Sequence, residues 1–578
     1  MAHLPGHSVV RGTFRLEQMA FLTALGLLAW FLVTFLIMPL ITTFYTAFFD
    51  SGSLRIGEIT EDLSRSRRVK QALLNTAWMT IATTFTVGLV GIFQVAALEY
   101  FHVRGRSFLK VAFAVPLVFG SVVAATGYKF TYGPSGIVTQ ILQGIVPDLP
   151  SDWFIGGHGV LYSQTFLLTS FYYLFLRAAM RRVDYSTVEA ARSMGASEIH
   201  ILRRVVLPVI MPTLFAVMLL TIYTSTVSFA VPEIIGGRDF TMISQIILVL
   251  NALNRPDMAA FLALFLGFFI LSIIVLMQWI EARGSYIGGA KTPVPIELKR
   301  IKNPAANVAF HGVTYLLAFI YVLPVALVVA FSFAPAASIG TEVFPSSFTL
   351  SNYIRVLSGG AAFEPFFNSM RMGLLAVLLG LSATLFAVPI MVKHKNWMTR
   401  ALDIGFFLPW VVPSVLLAIG LILTFDTPNL MVGRAVLLGS FIILPIGYAI
   451  NALPLMVRFL RAAFMGIDPS YDEAARSMGA GGLYRFRRVT MPLVAPTALL
   501  AGGYTFNEML TEYPLSAFLY NVNNRPLSIA ILDSDKSTDP EQAAITLVYA
   551  VLVMAFSLVV VLSAERLSLG KGPKTNNV

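Results

Sequence analysis

Two glutamates near the end of a long apolar stretch are the residues best suited to chemistry inside a membrane. Glu508 and Glu512 are four residues apart, so they share one face of a helix, and Asn507 is adjacent. Glu233 follows an earlier apolar stretch. Carboxylates that face a pathway suit a hard cation or a polyamine, because hard metals prefer oxygen ligands. The alternative interpretation is that these residues cap a helix or lie in water at the outer interface.

The other reactive residue types form no catalytic or metal-binding pattern. The chain has no cysteine, which excludes disulfides, iron–sulfur clusters and thiolate metal sites. Its seven histidines are scattered, without metal-ligand spacing. No nucleophile–base pair falls within an apolar stretch, and no G-x-x-x-x-G-K-[ST] motif could cradle nucleotide phosphates. We therefore expect a non-catalytic chain with no metal site and no cofactor of its own, rather than a membrane enzyme.

The composition predicts an all-α polytopic membrane protein. Of 578 residues, 57% are hydrophobic and only 12% are charged, and the mean hydropathy is +0.76. Water-soluble domains carry about 25% charged residues. Apolar stretches long enough to span a bilayer recur about twelve times. They lie near 21–47, 72–98, 108–127, 160–178, 207–230, 259–280, 309–333, 369–392, 403–424, 435–457, 493–519 and 543–564.

The basic residues predict the orientation in the membrane. If the N-terminus is cytoplasmic and the loops alternate, most Lys and Arg residues fall inside, as bacterial inner-membrane proteins require. The net charge of +11 is therefore a topology and lipid-headgroup signal rather than a nucleic-acid surface. We expect a multi-pass membrane protein with both termini in the cytoplasm.

A segment rich in Gly, Pro and Lys divides the chain. Residues 284–307 read GSYIGGAKTPVPIELKRIKNPAAN, a composition typical of a linker. The prediction is a first repeat over 1–283 and a second over 308–578, each with six spans.

The two repeats are related in sequence. Residues 175–212 align with 459–496 at an offset of 284 without gaps, and twenty of the 38 positions are identical. The block EAARSMGA occurs in both, at 189–196 and 473–480, in a predicted cytoplasmic loop between the fourth and fifth spans of each half. These loops are predicted over 186–208 and 470–492.

Local chemistry predicts a short helix in each loop. Ser186 with Glu189, and Ser470 with Glu473, fit a capping box that would begin the helix. The glycine of each block, Gly195 in the first, falls where that helix should end.

The duplicated block resembles the EAA motif of ABC importer permeases, which is Glu-Ala-Ala, a glycine, a hydrophobe and Leu-Pro at set intervals. Met491 replaces the usual leucine in the second copy. The matching residues are Glu189, Ala190, Ala191, Gly195, Val205, Leu207 and Pro208, and then Glu473, Ala474, Ala475, Gly479, Val489, Met491 and Pro492.

This resemblance implies a type I ABC importer permease with both halves fused, located in the bacterial cytoplasmic (inner) membrane. In that family the motif helix docks in a cleft of the ATPase, so two copies imply two ATPase subunits, which bind ATP and Mg. An extracytoplasmic solute-binding protein is the other implied partner, besides the lipid bilayer. The residues expected to dock the ATPases are Glu189, Ala190, Ala191, Gly195, Glu473, Ala474, Ala475 and Gly479.

The cargo is predicted from a weaker resemblance. Fused double permeases of this length look most like ferric iron permeases, whose acidic Glu-Pro element is similar to Glu512-Tyr513-Pro514. The expected cargo is therefore ferric iron, with 2-aminoethylphosphonate, thiamine and polyamines as alternatives. Asn507, Glu508, Glu512 and Glu233 are the candidate pathway residues.

A secondary transporter is the alternative from a different class, since many are also built from repeats. Such a protein has no need of a duplicated helix on the cytoplasmic surface, so the EAARSMGA pair argues against it.

Overall fold

Helices provide nearly all the regular structure. The computed structural model describes residues 22–50, 52–117, 120–283, 297–537 and 539–569. In the first half the helices are α1 (Leu22–Phe48), α2 (Ile56–Arg65), α3 (Arg67–Glu99), α4 (Arg106–Ala114), α5 (Ser121–Tyr132), α6 (Ile137–Ile145), α7 (Gly157–Met180), α8 (Tyr185–Ser193), α9 (Leu207–Thr226), α10 (Ala230–Ile235), α11 (Ile243–Ala252) and α12 (Pro256–Arg283). In the second half they are α13 (Pro304–Ser332), α14 (Ser351–Leu357), α15 (Glu364–Lys393), α16 (Trp397–Val411), α17 (Ser414–Phe425), α18 (Ile443–Met465), α19 (Pro469–Ser477), α20 (Met491–Leu510), α21 (Pro514–Leu519), α22 (Leu527–Asp535) and α23 (Pro540–Leu569). A small antiparallel ribbon pairs β1 (Phe49–Asp50) with β2 (Ser53–Leu54).

The membrane-spanning helices match the predicted apolar stretches. Among the described residues, nine helices are long and apolar enough to cross a bilayer: α1, α3, α9, α12, α13, α15, α18, α20 and α23. Helices α16 and α17 form a tenth candidate, bent by 109°. The remaining two predicted stretches correspond to the α4–α5 pair and to α7. The predicted all-α membrane fold with about twelve spans is confirmed.

Three stretches predicted as single spans are broken, and each break has a proline nearby; in 493–519, α20 ends at Leu510 and α21 begins at Pro514. Pro413 immediately precedes α17, and Val412 before it has an extended backbone, because a proline ring clashes with a helical preceding residue. Pro116 lies in a short turn between α4 and α5, and Gly120 then precedes α5 in an extended conformation. Backbone breaks at membrane depth are tolerated only where protein or a cavity surrounds them.

The two halves interlock through their first helices. Helix α1 packs against α17 of the second half as well as α12, and α13 packs against α5 of the first half as well as α23. At the first contact, a Cβ on Gly420 would come within 2.8 Å of the Pro39 carbonyl oxygen, so only glycine allows this approach. The buried apolar residues form a core that continues across both halves.

The repeat is visible in hydrogen bonds as well as in helix bounds. Helices α8 to α11 begin 284 residues before α19 to α22, and α12 begins 284 before α23. In the first half Thr76 Oγ1 accepts from the Ile243 N–H at 2.9 Å, and in the second Ser369 Oγ accepts from the Leu527 N–H at 2.7 Å. Hydroxyls on α3 and α15 thus accept hydrogen bonds from the first backbone N–H groups of α11 and α22.

The predicted linker falls partly outside the described residues. Residues 284–296 belong to that undescribed part, while 297–303 are irregular apart from one bridge between Lys299 and Phe101, and they lead into α13. The predicted domain limits, 1–283 and 308–578, stay a prediction.

An even number of spans predicts that both termini lie on one side of the membrane, and the basic loops predict that this side is the cytoplasm. A periplasm-dependent reporter fused after Val578 should therefore be inactive, whereas a cytoplasm-dependent reporter at the same position should be active. Activity of the periplasmic reporter would contradict the topology.

Candidate functional site

Each EAARSMGA block forms a short helix, α8 or α19, on the surface that the topology places inside. The predicted capping box is wrong. The N-cap residues are Asp184 and Asp468, whose carboxylates accept from the N–H groups of Ser186 at 3.1 Å and Ser470 at 2.9 Å. The backbone N–H and the hydroxyl of Ser470 lower the pKa of Asp468. An aspartate two residues earlier prevails because its charge also complements the helix dipole.

Glycine ends both helices, as predicted. Gly195 and Gly479 have φ values of +81° and +82°, a left-handed conformation that glycine adopts without strain. The hydrogen bonds are the same in both copies: each glycine N–H donates to the arginine carbonyl three residues before it at 2.9 Å. A Cβ at either glycine would meet nothing within 4 Å, so backbone conformation rather than crowding requires glycine here.

The exposed face of each helix is partly apolar. Met194 and Met478 are each 81% exposed, next to the exposed motif residues Glu189, Ala190, Glu473 and Ala474. Ala191 and Ala475 are buried on the opposite face. Methionine is flexible and polarizable, and suits surfaces that adapt to a partner. Sequence reasoning missed these methionines, although their presence in both copies of the block was an available signal.

Glu508 lies near the end of α20, in the vicinity of Tyr223 of α9. Its side chain is exposed. Helices α9 and α20 are equivalent in the repeat, so Tyr223 and Glu508 belong to different halves. Among the predicted pathway residues, Glu508 therefore lies between the halves with an accessible carboxylate.

The prediction that Glu508 and Glu512 share one helix face is wrong, because α20 ends at Leu510. Glu512 is buried and caps α21. One carboxylate oxygen accepts from the Leu515 N–H at 3.0 Å and the other from the Ser516 N–H at 3.2 Å, at the start of α21. Its carbonyl oxygen accepts from the Ser528 hydroxyl at 2.7 Å. These contacts occupy both carboxylate oxygens, which favours a structural role over contact with a cargo.

The two remaining predicted pathway residues also have partners. The amide oxygen of Asn507 accepts from the Ser557 hydroxyl of α23. Glu233 accepts from Gln245 at 2.9 Å and from the ammonium of Lys536 at 3.0 Å. Asn507 thus points toward α23, and Glu233 lies at a contact between the two halves.

Repeat-equivalent residues touch at the outer ends of α9 and α20. The rings of Phe229 and Tyr513, positions 284 apart, have centroids 5.2 Å apart, and both side chains are buried. Equivalent residues can meet only beside the pseudo-two-fold axis, so this contact marks it. Ion pairs also join the halves: Lys129 with Asp535 at 2.5 Å, and Lys536 with Glu233 at 3.0 Å. The axis is closed at this level.

The described residues contain no group of three or more His, Cys, Asp or Glu side chains arranged to hold a metal ion. Glu508 and Glu512 do not converge with a third ligand. Any cation passing Glu508 would therefore meet a single carboxylate rather than a chelating site.

Comparisons with known proteins agree with the duplicated architecture. The family model for the binding-protein-dependent transport system inner membrane component matches residues 56–285 and 372–570. A probable ABC transporter permease protein, y4fN of Sinorhizobium fredii, is 62% identical over 98% of this chain and 99% of its own length.

Two further relatives carry more specific descriptions. The ferric transport system permease protein FbpB of Actinobacillus pleuropneumoniae is 23% identical over 86% of this chain and 72% of its own length. The putative 2-aminoethylphosphonate transport system permease protein PhnV of Salmonella typhimurium is 27% identical over 40% of this chain and 84% of its own length.

Proposed function

We propose that this chain, which belongs to the binding-protein-dependent transport system inner-membrane components and is an ABC transporter permease, carries ferric iron into the cytoplasm. The iron would arrive on a solute-binding protein outside the membrane. The observation that supports the cargo is the accessible carboxylate of Glu508 between the halves, together with similarity to a ferric permease along most of the chain.

The energy would come from two ATPase subunits, one docked at α8 and one at α19. Both helices have the same cap, the same glycine end and the same exposed methionine. The alanines let a partner backbone approach closely, while Glu189 and Glu473 offer charges for pairing. ATP and Mg would be bound by these subunits, because this chain has no phosphate-binding loop.

The transport path would follow the pseudo-two-fold axis between α9 and α20. Its outer end is closed by the Phe229–Tyr513 contact and by the two ion pairs between the halves. Cargo entry requires these contacts to separate, and ATP-driven closure of the ATPases would supply a rigid-body movement of the halves. Glu508, just inside the closed level, would attract the cation after it has passed.

2-Aminoethylphosphonate is the second candidate cargo, because a relative over the length of one half is described as its permease. The ammonium group of that zwitterion could also pair with Glu508. Thiamine and polyamines carry positive charge as well, so cargo competition must separate these classes.

The docking proposal predicts the effect of changing both helix-ending glycines. The double variant Gly195→Ala and Gly479→Ala puts a Cβ on a left-handed backbone, at a cost of about 1–2 kcal/mol per site. We expect weaker co-purification of the ATPase and reduced transport, with the chain still in the membrane. Gly481→Ala is the matched control, because Gly481 has a negative φ and open space around it. Normal ATPase binding and transport by the double variant would refute the docking assignment.

The pathway proposal predicts that Glu508 matters more than Glu512 for attracting the cargo. Glu508→Gln keeps the size and most hydrogen bonding but removes the charge. Cation uptake in proteoliposomes should fall about tenfold, equivalent to ~1.4 kcal/mol of lost attraction, while ATPase docking is unchanged. Glu364→Gln, which neutralises an exposed carboxylate at the start of α15, is the control. Uptake by Glu508→Gln equal to that of the control would exclude the carboxylate from the pathway.

The cargo itself can be tested with the complete system. Proteoliposomes containing this chain, its ATPase and its binding protein should be given labelled ferric iron, thiamine, putrescine and 2-aminoethylphosphonate in turn. We expect ATP-dependent uptake of iron. Strong uptake of the phosphonate with none of iron would overturn the iron proposal and leave the permease assignment intact.

A further inference from the structure

The loop after the first docking helix contains a carboxylate on which three donors converge. Glu198 accepts from Lys299 Nζ at 2.5 Å, from the Tyr100 hydroxyl at 2.8 Å and from Arg192 Nε at 3.2 Å. Arg192 belongs to the EAARSMGA block, whereas Lys299 belongs to the segment that joins the two halves. Burial raises the pKa of Glu198, but the hydrogen bonds from Lys299, Tyr100 and Arg192 outweigh it and lower that pKa to about 2. Glu198 is therefore ionised at neutral pH.

The joining segment is also held by its backbone. The Lys299 N–H donates to the Tyr100 carbonyl at 2.9 Å, and the His102 N–H donates to the Lys299 carbonyl at 2.8 Å. Tyr185 is the first residue of α8, and its hydroxyl donates a hydrogen bond of 2.9 Å to the carboxylate of Glu297, two residues before Lys299. Residues 297–299, called here the linker segment, thus connect α8 to the chain just after α3.

The second copy lacks the groups that make these contacts. At the offset of 284, Gly482 occupies the position of Glu198, and Pro469 occupies the position of Tyr185. Neither residue has a side chain that could form the corresponding hydrogen bond. The block itself is identical in the two copies, so the difference lies in what surrounds it.

The packing beneath the two docking helices also differs, and it again gives the first helix more support than the second. Val188 and Ile201 are fully buried in the first copy. Their equivalents, Asp472 and Arg485, form an ion pair at 2.9 Å within the second loop. That loop also approaches Lys393 at the end of α15, but at 3.9 Å and with the lysine side chain 67% exposed. Exposed pairs of this kind contribute little stability.

We infer that Glu198 and Lys299 are positioning residues that clamp the first docking helix to the membrane domain through the linker segment, which makes the two ATPase-docking sites mechanically unequal. This inference rests on the proposed docking of ATPases at α8 and α19. A clamped α8 transmits the displacement of its ATPase directly to α3 and the first half. The less supported α19 absorbs part of the displacement before it reaches the second half.

A single ion pair at a surface would be too weak to support this conclusion. Here one carboxylate, 31% exposed, accepts from three side chains that come from three separate parts of the chain. Hydrogen bonds to a charged group are about twice as strong as neutral ones, and a network loses more than one bond when a member is removed. The contacts therefore act together on the position of α8.

Hydrogen exchange on the full-length chain in lipid nanodiscs tests the clamp without any partner. Amides of 185–201 should exchange more slowly than those of 469–485. Lys299→Gln should speed exchange in the first loop by roughly tenfold and leave the second unchanged. Lys302 is an exposed lysine three residues further along the chain, and Lys302→Gln should not change the exchange rates. Lys299→Arg should keep the slow exchange of the first loop. Equal exchange in both wild-type loops, or no change with Lys299→Gln, would overturn the clamp.

Coupling is tested in proteoliposomes that contain the ATPase and the binding protein. Lys299→Gln should lower the cargo imported per ATP hydrolysed by roughly fivefold, while ATPase co-purification stays at the wild-type level and Lys299→Arg restores coupling. Unchanged cargo per ATP would overturn the positioning role. If the wild-type chain fails to retain any ATPase, the docking proposal fails, whereas the exchange experiment still decides whether the clamp exists.

Discussion

Within a bilayer every backbone N–H and C=O must find a partner inside the protein, and this constraint explains the irregular parts of the chain. Each break between helices leaves unpaired groups that water cannot satisfy. Thr76 and Ser369 bond the first N–H groups of α11 and α22, and Glu512 bonds those of α21. The polar residues of the membrane region are therefore partly structural. A carboxylate at membrane depth is a pathway candidate only when its oxygens are not already occupied.

The internal duplication gives the two halves equivalent helices, but some equivalent positions carry different polar residues. The helices from α8 to α12 keep a constant offset from their equivalents, and Phe229 meets Tyr513 across the axis. Polar residues depart from this symmetry: Glu508 corresponds to Thr224, and Glu198 corresponds to Gly482. A fused chain allows such departures, because each half has its own sequence. Each half also always packs against the same partner half. Under the proposed function, the second half specialises in guiding the cargo and the first half in holding its ATPase.

Interlocking of the halves sets the movements available to the transporter. Because α1 packs on α17 and α13 packs on α5, neither half can move alone without disturbing the other. Close approach at Gly420 leaves little room for sliding there. At the outer ends of α9 and α20, an aromatic contact and two ion pairs also join the halves. The proposed transport cycle requires these contacts on the axis to separate.

The sequence by itself determined the membrane class, the approximate spans, the duplication and the two EAARSMGA loops, since apolar length and an ungapped repeat are local properties that no distant contact alters. It also placed the helix-ending glycines, because a left-handed residue is a local requirement. It misassigned the caps of α8 and α19, where an aspartate two residues earlier competes better than the serine. Depth along the helix already favoured Glu508 over Glu512 as a pathway residue, but only the tertiary structure showed how their surroundings differ. The helix ends between them, so one carboxylate is left accessible and the other bonds the start of α21. The clamp on Glu198 was likewise beyond sequence reasoning, because its three donors are brought together only when distant segments pack.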